Sequence, residues 1–231
     1  AADTLFKNLE GYAALLIGPG LGREKPTGMF MRRLLGMEQP RRLSRVGFRV
    51  QELAPTSEPN KSKPKAEGSD ISLPPTVLDA DALNLLSEID DWAEQLSAEQ
   101  FVLTPHPGEM RRLLGTDDLA SDVVKVATDA AKQWQQVVVF KGATTVIAAP
   151  DGRSAVHADG NPALATAGTG DVLAGAIAGM LAQGLALYDA AVLGVYLHSA
   201  AGALLRDELG EAGTLASDLL IRLPRTLKEL R

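Results

Sequence analysis

The sequence predicts an α/β protein built on a mostly parallel sheet flanked by helices. Two observations carry that expectation. Short apolar runs end in Gly, Asp or Pro and are each followed by helix-like segments, the rhythm of repeated β–loop–α units. Aromatic residues make up only 4% of the chain against 45% hydrophobic residues overall, so helices packed closely on a sheet explain the composition better than an aromatic-rich β-sandwich. At 231 residues, one large domain over 1–231 with a well-buried core is favoured over two of average size.

The elements follow in order. Ala13 to Ile17 is the first strand, ending in GPGLG; Val77 to Leu78 ends a second at DADALN, Phe101 to Leu103 a third at TPHPGE, and Val137 to Phe140 a fourth at KGATT. Four strands thus deliver polar or glycine-rich loops at their carboxyl ends, the edge at which open α/β sheets bind ligands. Val146 to Ala149 and Ser154 to His157 flank a PDGR turn and read as an antiparallel hairpin. The final third is helical: Val172 to Gln183, Ala190 to Leu209 and Ala216 to Leu230. The apolar stretch from Val172 to Leu187 reads as a buried core helix because Gly and Gln interrupt it, and no run is expected to reach bilayer-spanning length.

Residues from about 37 to 75 break this rhythm. PTSEPNKSKPKAEGSDISLPP is rich in Pro, Ser and charge with little to bury, so a mobile surface insertion is expected. Around it Arg32, Arg33, Arg41, Arg42, Arg45 and Arg49 form a local basic cluster; it reads as a solvated face, with a partner-subunit or polyanion contact as the alternative. A net charge of −6 gives no overall basic field for nucleic acid, although small anions remain open to local donors. The absence of cysteine excludes disulfides, thiolate nucleophiles and Cys-based metal sites. The N-terminal residues lack a signal-like basic and apolar pattern, so a soluble, cytoplasmic protein with no membrane partner is expected.

The segment GNPALATAGTGDVLAGAIAGML, Gly160 through Leu181, carries the most chemistry. Gly168 and Gly170 remove the Cβ atoms that would keep a bulky anion from the backbone, and the first N–H groups of the following helix lack intrahelical acceptors. Those donors and the helix dipole favour negative charge. Asp171 at that mouth is placed to accept a proton from a substrate hydroxyl. An ordinary capped helix fits the segment equally well when it is read alone. In DADALN, Asp79 ends a strand, Asp81 is placed to cap the next helix and Asn84 lies one turn on; capping and loop order are favoured over metal ligation.

Taken together, GPGLG (Gly18 to Gly22), DADALN (Asp79 to Asn84), TPHPGEMRRLLG (Thr104 to Gly115), VVVFKGATTVI (Val137 to Ile147) and GNPALATAGTGDVLAG (Gly160 to Gly175) closely resemble the ADP- or ATP-dependent NAD(P)H-hydrate dehydratases. The resemblance implies a three-layer, ribokinase-like fold. It also implies repair of nicotinamide cofactors: phosphorylation of the C6 hydroxyl of hydrated NADH or NADPH, then loss of phosphate to regenerate the reduced ring. By the same resemblance Asp171 is the catalytic base and a substrate-binding residue. Gly168, Thr169 and Gly170 form the anion hole, and Lys141, Gly142, Ala143, Thr144, Thr145 and Asn161 bind the nucleotide, with Ala167 in the covering loop. His106, held between Pro105 and Pro107, contacts the hydrated nicotinamide nucleotide together with Gly20 and Gly22, and Glu109 organises Mg²⁺ through water. His157 and His198 read as structural. ADP or ATP is the phosphate donor, with the HPGE and GTGDVLAG wording leaning towards ADP. A homo-oligomer, plausibly a tetramer, is implied as well.

The chain departs from the family at its start, where members carry an α/β portion with a GGS-type loop that nothing in this sequence matches. The expectation is therefore an N-terminally shortened domain with an intact nucleotide half. It would be either a fragment of a longer enzyme that can bear an epimerase domain, or a weakly active nucleotide-binding module that works by assembly. A ribokinase-like kinase for a vitamin precursor is the other alternative, and TPHPGE argues against it.

Overall fold

The computed structural model describes residues 1–37 and 73–230. The expected insertion, and Arg41, Arg42, Arg45 and Arg49 with it, lie outside the described residues except at its edges. In chain order the elements are α1 (Ala2–Phe6), β1 (Leu15–Ile17), α2 (Lys25–Leu34), β2 (Thr76–Leu78), α3 (Asp81–Leu86), α4 (Trp92–Gln95), β3 (Phe101–Leu103), α5 (Pro107–Leu114), α6 (Val123–Trp134), β4 (Val137–Phe140), β5 (Thr145–Ala148), β6 (Ser154–His157), a 3-10 turn at Pro162–Leu164, α7 (Thr169–Ala182), α8 (Leu187–Leu209) and α9 (Ala216–Glu229). Arg32 and Arg33 are held locally: Arg33 pairs with Asp3 at 2.6 Å, and Arg32 Nη2 donates to the Glu88 carbonyl at 3.3 Å.

The six strands lie in sequence order in one sheet, β1 to β4 parallel and β5 and β6 antiparallel. The anticipated hairpin pairs Thr145 with His157 and Ala148 with Ser154. Alternation along each strand sorts side chains between two cores. Leu78, Leu103, Val138 and Phe140 face the helices α2 to α6, where Trp92 and Trp134 pack 4.9 Å apart. Val77, Val102, Val137, Val139 and Ile147 face α7 and α8. All three parallel crossovers run through the α2–α6 face, so the strand order advances in a single direction. The other face is left for the helices that end the chain, and the result is three layers.

Local chemistry places the boundaries. Pro107 at the first helical position, Glu109 at the third and Gly115 in the left-handed region after the last turn start and stop α5. Asp122 caps α6 by accepting the Lys125 N–H at 3.0 Å. The expected helices Val172 to Gln183 and Ala190 to Leu209 appear as α7 and α8, each beginning three residues earlier than expected, with Gly184 in the left-handed region between them. The sequence expectation about membrane-spanning length is corrected here: by length and composition alone α8 is long and apolar enough to cross a membrane. Its charges sit near its two ends, leaving Ala, Leu and Gly between, and in this fold it packs against α7, α9 and the sheet.

At Gly18 the approach of backbone to backbone requires a glycine. Gly18, with φ +133°, follows β1, and a Cβ there would lie 1.7 Å from the Asp79 carbonyl oxygen at the end of β2. Gly18→Ala is expected to lower unfolding free energy by about 1–3 kcal/mol through overpacking and strain, as measured by urea denaturation. An unchanged midpoint would show that the β1 and β2 ends separate freely.

Candidate active site

The carboxyl ends of β2, β3 and β4 converge on the N-terminus of α7. Gly168 is the N-cap residue of α7, in the left-handed region at φ +88°, where a side chain would be strained, and no side chain caps the helix. Its first turn therefore opens into the loop edge with donors free of side-chain competition. Asp171 is the third residue of the helix and is exposed. Thr169 is buried, its hydroxyl 2.7 Å from the Leu164 carbonyl and 2.8 Å from that of Thr166, which ties the loop to the helix start. From below, the buried His198 on α8 donates Nε2–H to the Thr169 carbonyl at 2.9 Å. Burial pushes its pKa down to about 4 against the pull of that hydrogen bond, and the nearby Lys141 and His157 charges lower it further. His198 is thus neutral at pH 7.

Lys141 follows β4, and its Nζ lies 2.6 Å from Asp79 Oδ1. The same oxygen accepts the Thr104 hydroxyl at 2.6 Å. The ammonium also sits 3.6 Å from where a Cβ on Gly170 would be, which places it over the first turn of α7. One positive side chain and one helix N-terminus therefore face the same space, with the Asp171 carboxylate on that turn.

His106 is the N-cap of α5, and its Nδ1 accepts the Gly108 N–H at 2.9 Å. Nε2 then carries the ring proton, 3.4 Å from Glu109 Oε1, while Glu109 Oε2 accepts the His106 backbone N–H at 2.9 Å. Burial lowers the His106 pKa; Glu109 opposes this, and Lys141 and Arg112 reinforce it. The ring is half exposed and neutral, whereas Glu109 is buried as the return arm of a capping box.

Gly20 and Gly22 both have positive φ, +67° and +81°. The Gly22 N–H donates to Asp81 Oδ2 at 2.9 Å. This corrects the expectation that Asp81 caps α3: the N-cap is Ala80, at φ 49°, without a side-chain bond, and Asp81 already lies within the helix, where its carboxylate is better spent on the GPGLG loop. Asn84 accepts from Arg112 Nε at 2.9 Å, joining α3 to α5.

The segment after Lys141 forms a tight turn in which Thr145 Oγ1 donates to the Gly142 carbonyl at 3.2 Å. Ala143 lies against Gly160, a Cβ on which would stand 3.3 Å from the Ala143 carbonyl. The Lys141–Thr145 loop and the Asn161–Gly170 loop are thereby brought side by side, with Thr144 half-buried and Ala167 exposed. Asn161 Oδ1 caps the 3-10 turn through the Ala163 N–H at 3.0 Å. Its Nδ2 is buried without a protein partner, as is Nε2 of His157. A buried donor beside a loop mouth is where a ligand acceptor offsets the desolvation cost. Among the described residues no three carboxylate or histidine side chains converge as a metal site. Two apolar grooves meet at Tyr188: one of about 470 Å³ lined by Leu185, Val192, Leu193 and Tyr196, and one of about 330 Å³ that takes in Pro75, Glu99 and Val137 and so lies at the amino ends of the strands, away from this loop edge.

Sequence reasoning does not foresee three pairings: Asp79 with Lys141, Thr104 with Asp79, and His198, which reads as structural, with the Thr169 carbonyl. A signal exists for Asp79, since an ionisable residue directly following the apolar pair Val77 and Leu78 of a parallel strand is buried and must be paired. For His198 there is none, because residues 29 positions apart meet only through the packing of α8 on α7.

The mostly parallel sheet with helices on both faces, and a loop edge converging on an uncapped helix N-terminus, define a ribokinase-like α/β protein. The chain belongs to the NAD(P)H-hydrate dehydratase family, whose model matches residues 64–225. It is 40% identical, over its whole length, to the bifunctional NAD(P)H-hydrate repair enzyme of Moorella thermoacetica, of which it spans 37%. It is 42% identical over 63% of its length to the ADP-dependent (S)-NAD(P)H-hydrate dehydratase of Neisseria meningitidis serogroup B, covering 50% of that protein. The solved ADP/ATP-dependent NAD(P)H-hydrate dehydratase from Bacillus subtilis, co-crystallised with ATP and Mg²⁺, superposes with a TM-score of 0.68 at 31% identity, over 96% of this chain and 66% of that one.

Proposed function

We propose that this chain carries out the nucleotide-dependent dehydration of hydrated NADH and NADPH, with ADP as the favoured phosphate donor. The observation that carries this reading is the Lys141 ammonium lying over Gly170, at the open first turn of α7 that also bears Asp171. An anion-binding helix end, a fixed cation and a carboxylate within one turn suit transfer of a phosphoryl group to a hydroxyl, a reaction governed by positioning and charge neutralisation. The dehydratase names and the ATP/Mg²⁺ co-crystal of the relatives support it.

In this mechanism Asp171 accepts the proton of the C6 hydroxyl as that oxygen attacks the terminal phosphorus. Lys141 and the backbone N–H groups of Gly168, Thr169 and Gly170 hold the phosphoryl oxygens. The turn Gly142–Thr145 and the unpaired Asn161 amide hold the rest of the nucleotide. Once phosphorylated, the C6 oxygen leaves as phosphate, expelled by the ring nitrogen lone pair, and loss of the C5 proton restores the dihydronicotinamide. His106, neutral with its proton on Nε2, serves as a donor to the hydrated nucleotide beside Gly20 and Gly22. Glu109 would help hold magnesium through water, and the ion would supply charge neutralisation on the nucleotide phosphates.

The test is incubation of the protein with hydrated NADH, Mg²⁺ and either ADP or ATP while following the near-ultraviolet absorbance of the reduced ring. Nucleotide-dependent recovery is expected, faster with ADP. Absence of recovery from folded protein that binds nucleotide would reject dehydration by this chain.

A further inference from the structure

We propose that Asp79 is a positioning residue: with the Thr104 hydroxyl, its buried carboxylate holds the Lys141 ammonium over the first turn of α7, where nucleotide phosphates bind. The proposal rests on the reading of Lys141 as a nucleotide ligand.

Three strand ends build this device. Asp79 closes β2, Thr104 closes β3 and Lys141 closes β4, so the Lys141–Asp79 bond reaches across the end of the intervening strand. The Asp79 side chain is 2% exposed and that of Lys141 18%. Removing both charges from water costs more than such a pair commonly returns, so the pair is a weak source of stability and its placement calls for another account. Geometry supplies one. A lysine ends a flexible stem of four carbons, and its ammonium has three donors. Asp79 takes one of them, and the ammonium is left 3.6 Å from the Cβ position of Gly170. Thr104 in turn orients the carboxylate, bonding the same Oδ1 at 2.6 Å while lying 3.3 Å from the Leu78 carbonyl. The rotamer of Lys141 is thus set before any phosphate arrives.

The sign of the effect separates positioning from simple charge. Removing a carboxylate near a phosphate site strengthens anion binding if Coulomb attraction alone matters. If Asp79 positions Lys141, Asp79→Asn weakens it. Binding of Mg²⁺–ADP to wild-type protein, Asp79→Asn, Lys141→Met and the double variant is measured by calorimetry, with thermal melts alongside. We expect Asp79→Asn to weaken ADP binding about tenfold and to have no further effect in the Lys141→Met background. The double variant should melt above either single variant, because neither leaves an unpaired buried charge in it. Thr104→Val, which keeps the volume and removes only the hydroxyl, gives a smaller loss in the same direction and stands in if Asp79→Asn does not fold. Unchanged or tighter ADP binding in these variants overturns the proposal.

A second readout needs no nucleotide. Acylation of Lys141 in the ligand-free protein, followed by peptide mass spectrometry, should quicken several-fold in Asp79→Asn or Thr104→Val as the amine is released. Unchanged labelling overturns the positioning role even if ADP binds, whereas faster labelling in a protein that binds no ADP overturns only the reading of Lys141 as a nucleotide ligand.

Discussion

On the proposed function, Asp171→Asn is expected to lower turnover of hydrated NADH by about 10²–10⁴-fold, the range associated with loss of a general base, and to leave nucleotide binding and folding nearly intact. The reasons lie in what surrounds the residue. Asp171 is exposed, and among the described residues no side chain bonds to it or pairs with it. Its replacement therefore strands no buried partner. Asparagine keeps the shape and forfeits only the favourable interaction of a carboxylate with the helix N-terminus, about 0.3–1 kcal/mol. The backbone donors at Gly168, Thr169 and Gly170 are untouched, so ADP affinity persists. A single preparation assayed for turnover, ADP binding and melting midpoint checks all three. Loss of ADP binding in parallel with turnover would assign Asp171 to the nucleotide rather than to the hydroxyl, and full activity would remove it from the chemistry.

The second large effect is on stability, through His198. Its pKa in the folded protein is about 4 against 6.5 for the free side chain, because burial disfavours the imidazolium. The unfolded chain therefore binds a proton between those values that the folded chain refuses. Stability is complete above about pH 6.5, falls as the pH drops towards 4, and falls no further from this group below that. The full loss is about 3 kcal/mol. Half-exposed His106, also lowered, acts in the same direction. Urea unfolding at a series of pH values between 4 and 7 measures the slope, and His198→Gln, which keeps a donor for the Thr169 carbonyl without a titrating ring, should flatten most of it. An equally steep slope in that variant would place the titration elsewhere. Because His198 holds the first turn of α7, nucleotide affinity should decline over the same pH window.

The layout of the molecule is readable from local signals. Apolar runs of three or four residues closed by Gly, Asp or Pro place β1 to β4, and the PDGR turn pairs β5 with β6, because a half-buried or buried strand needs no more than its own alternation and its turn chemistry to be recognised. The family wording around Lys141, His106 and Gly168–Asp171 points to a loop edge, and those residues do gather at the carboxyl ends of the strands. What the chain by itself determines is therefore which residues form strands and helices and which loops carry donors and carboxylates.

Only the tertiary structure decides the pairings. Asp81 has the composition of a helix cap, yet it accepts the Gly22 N–H 59 positions away, because helix α3 brings it against the GPGLG loop. Asp79 meets Lys141 across 62 positions, since parallel strands in register set their ends beside one another. His198 supports the start of α7 only because α8 packs on α7. Hydrogen bonds and ion pairs act over a few ångströms, while a linear pattern reports only its neighbours along the chain. Which carboxylate fixes the lysine, and which histidine props the helix end, are consequences of the sheet closing the distance between them.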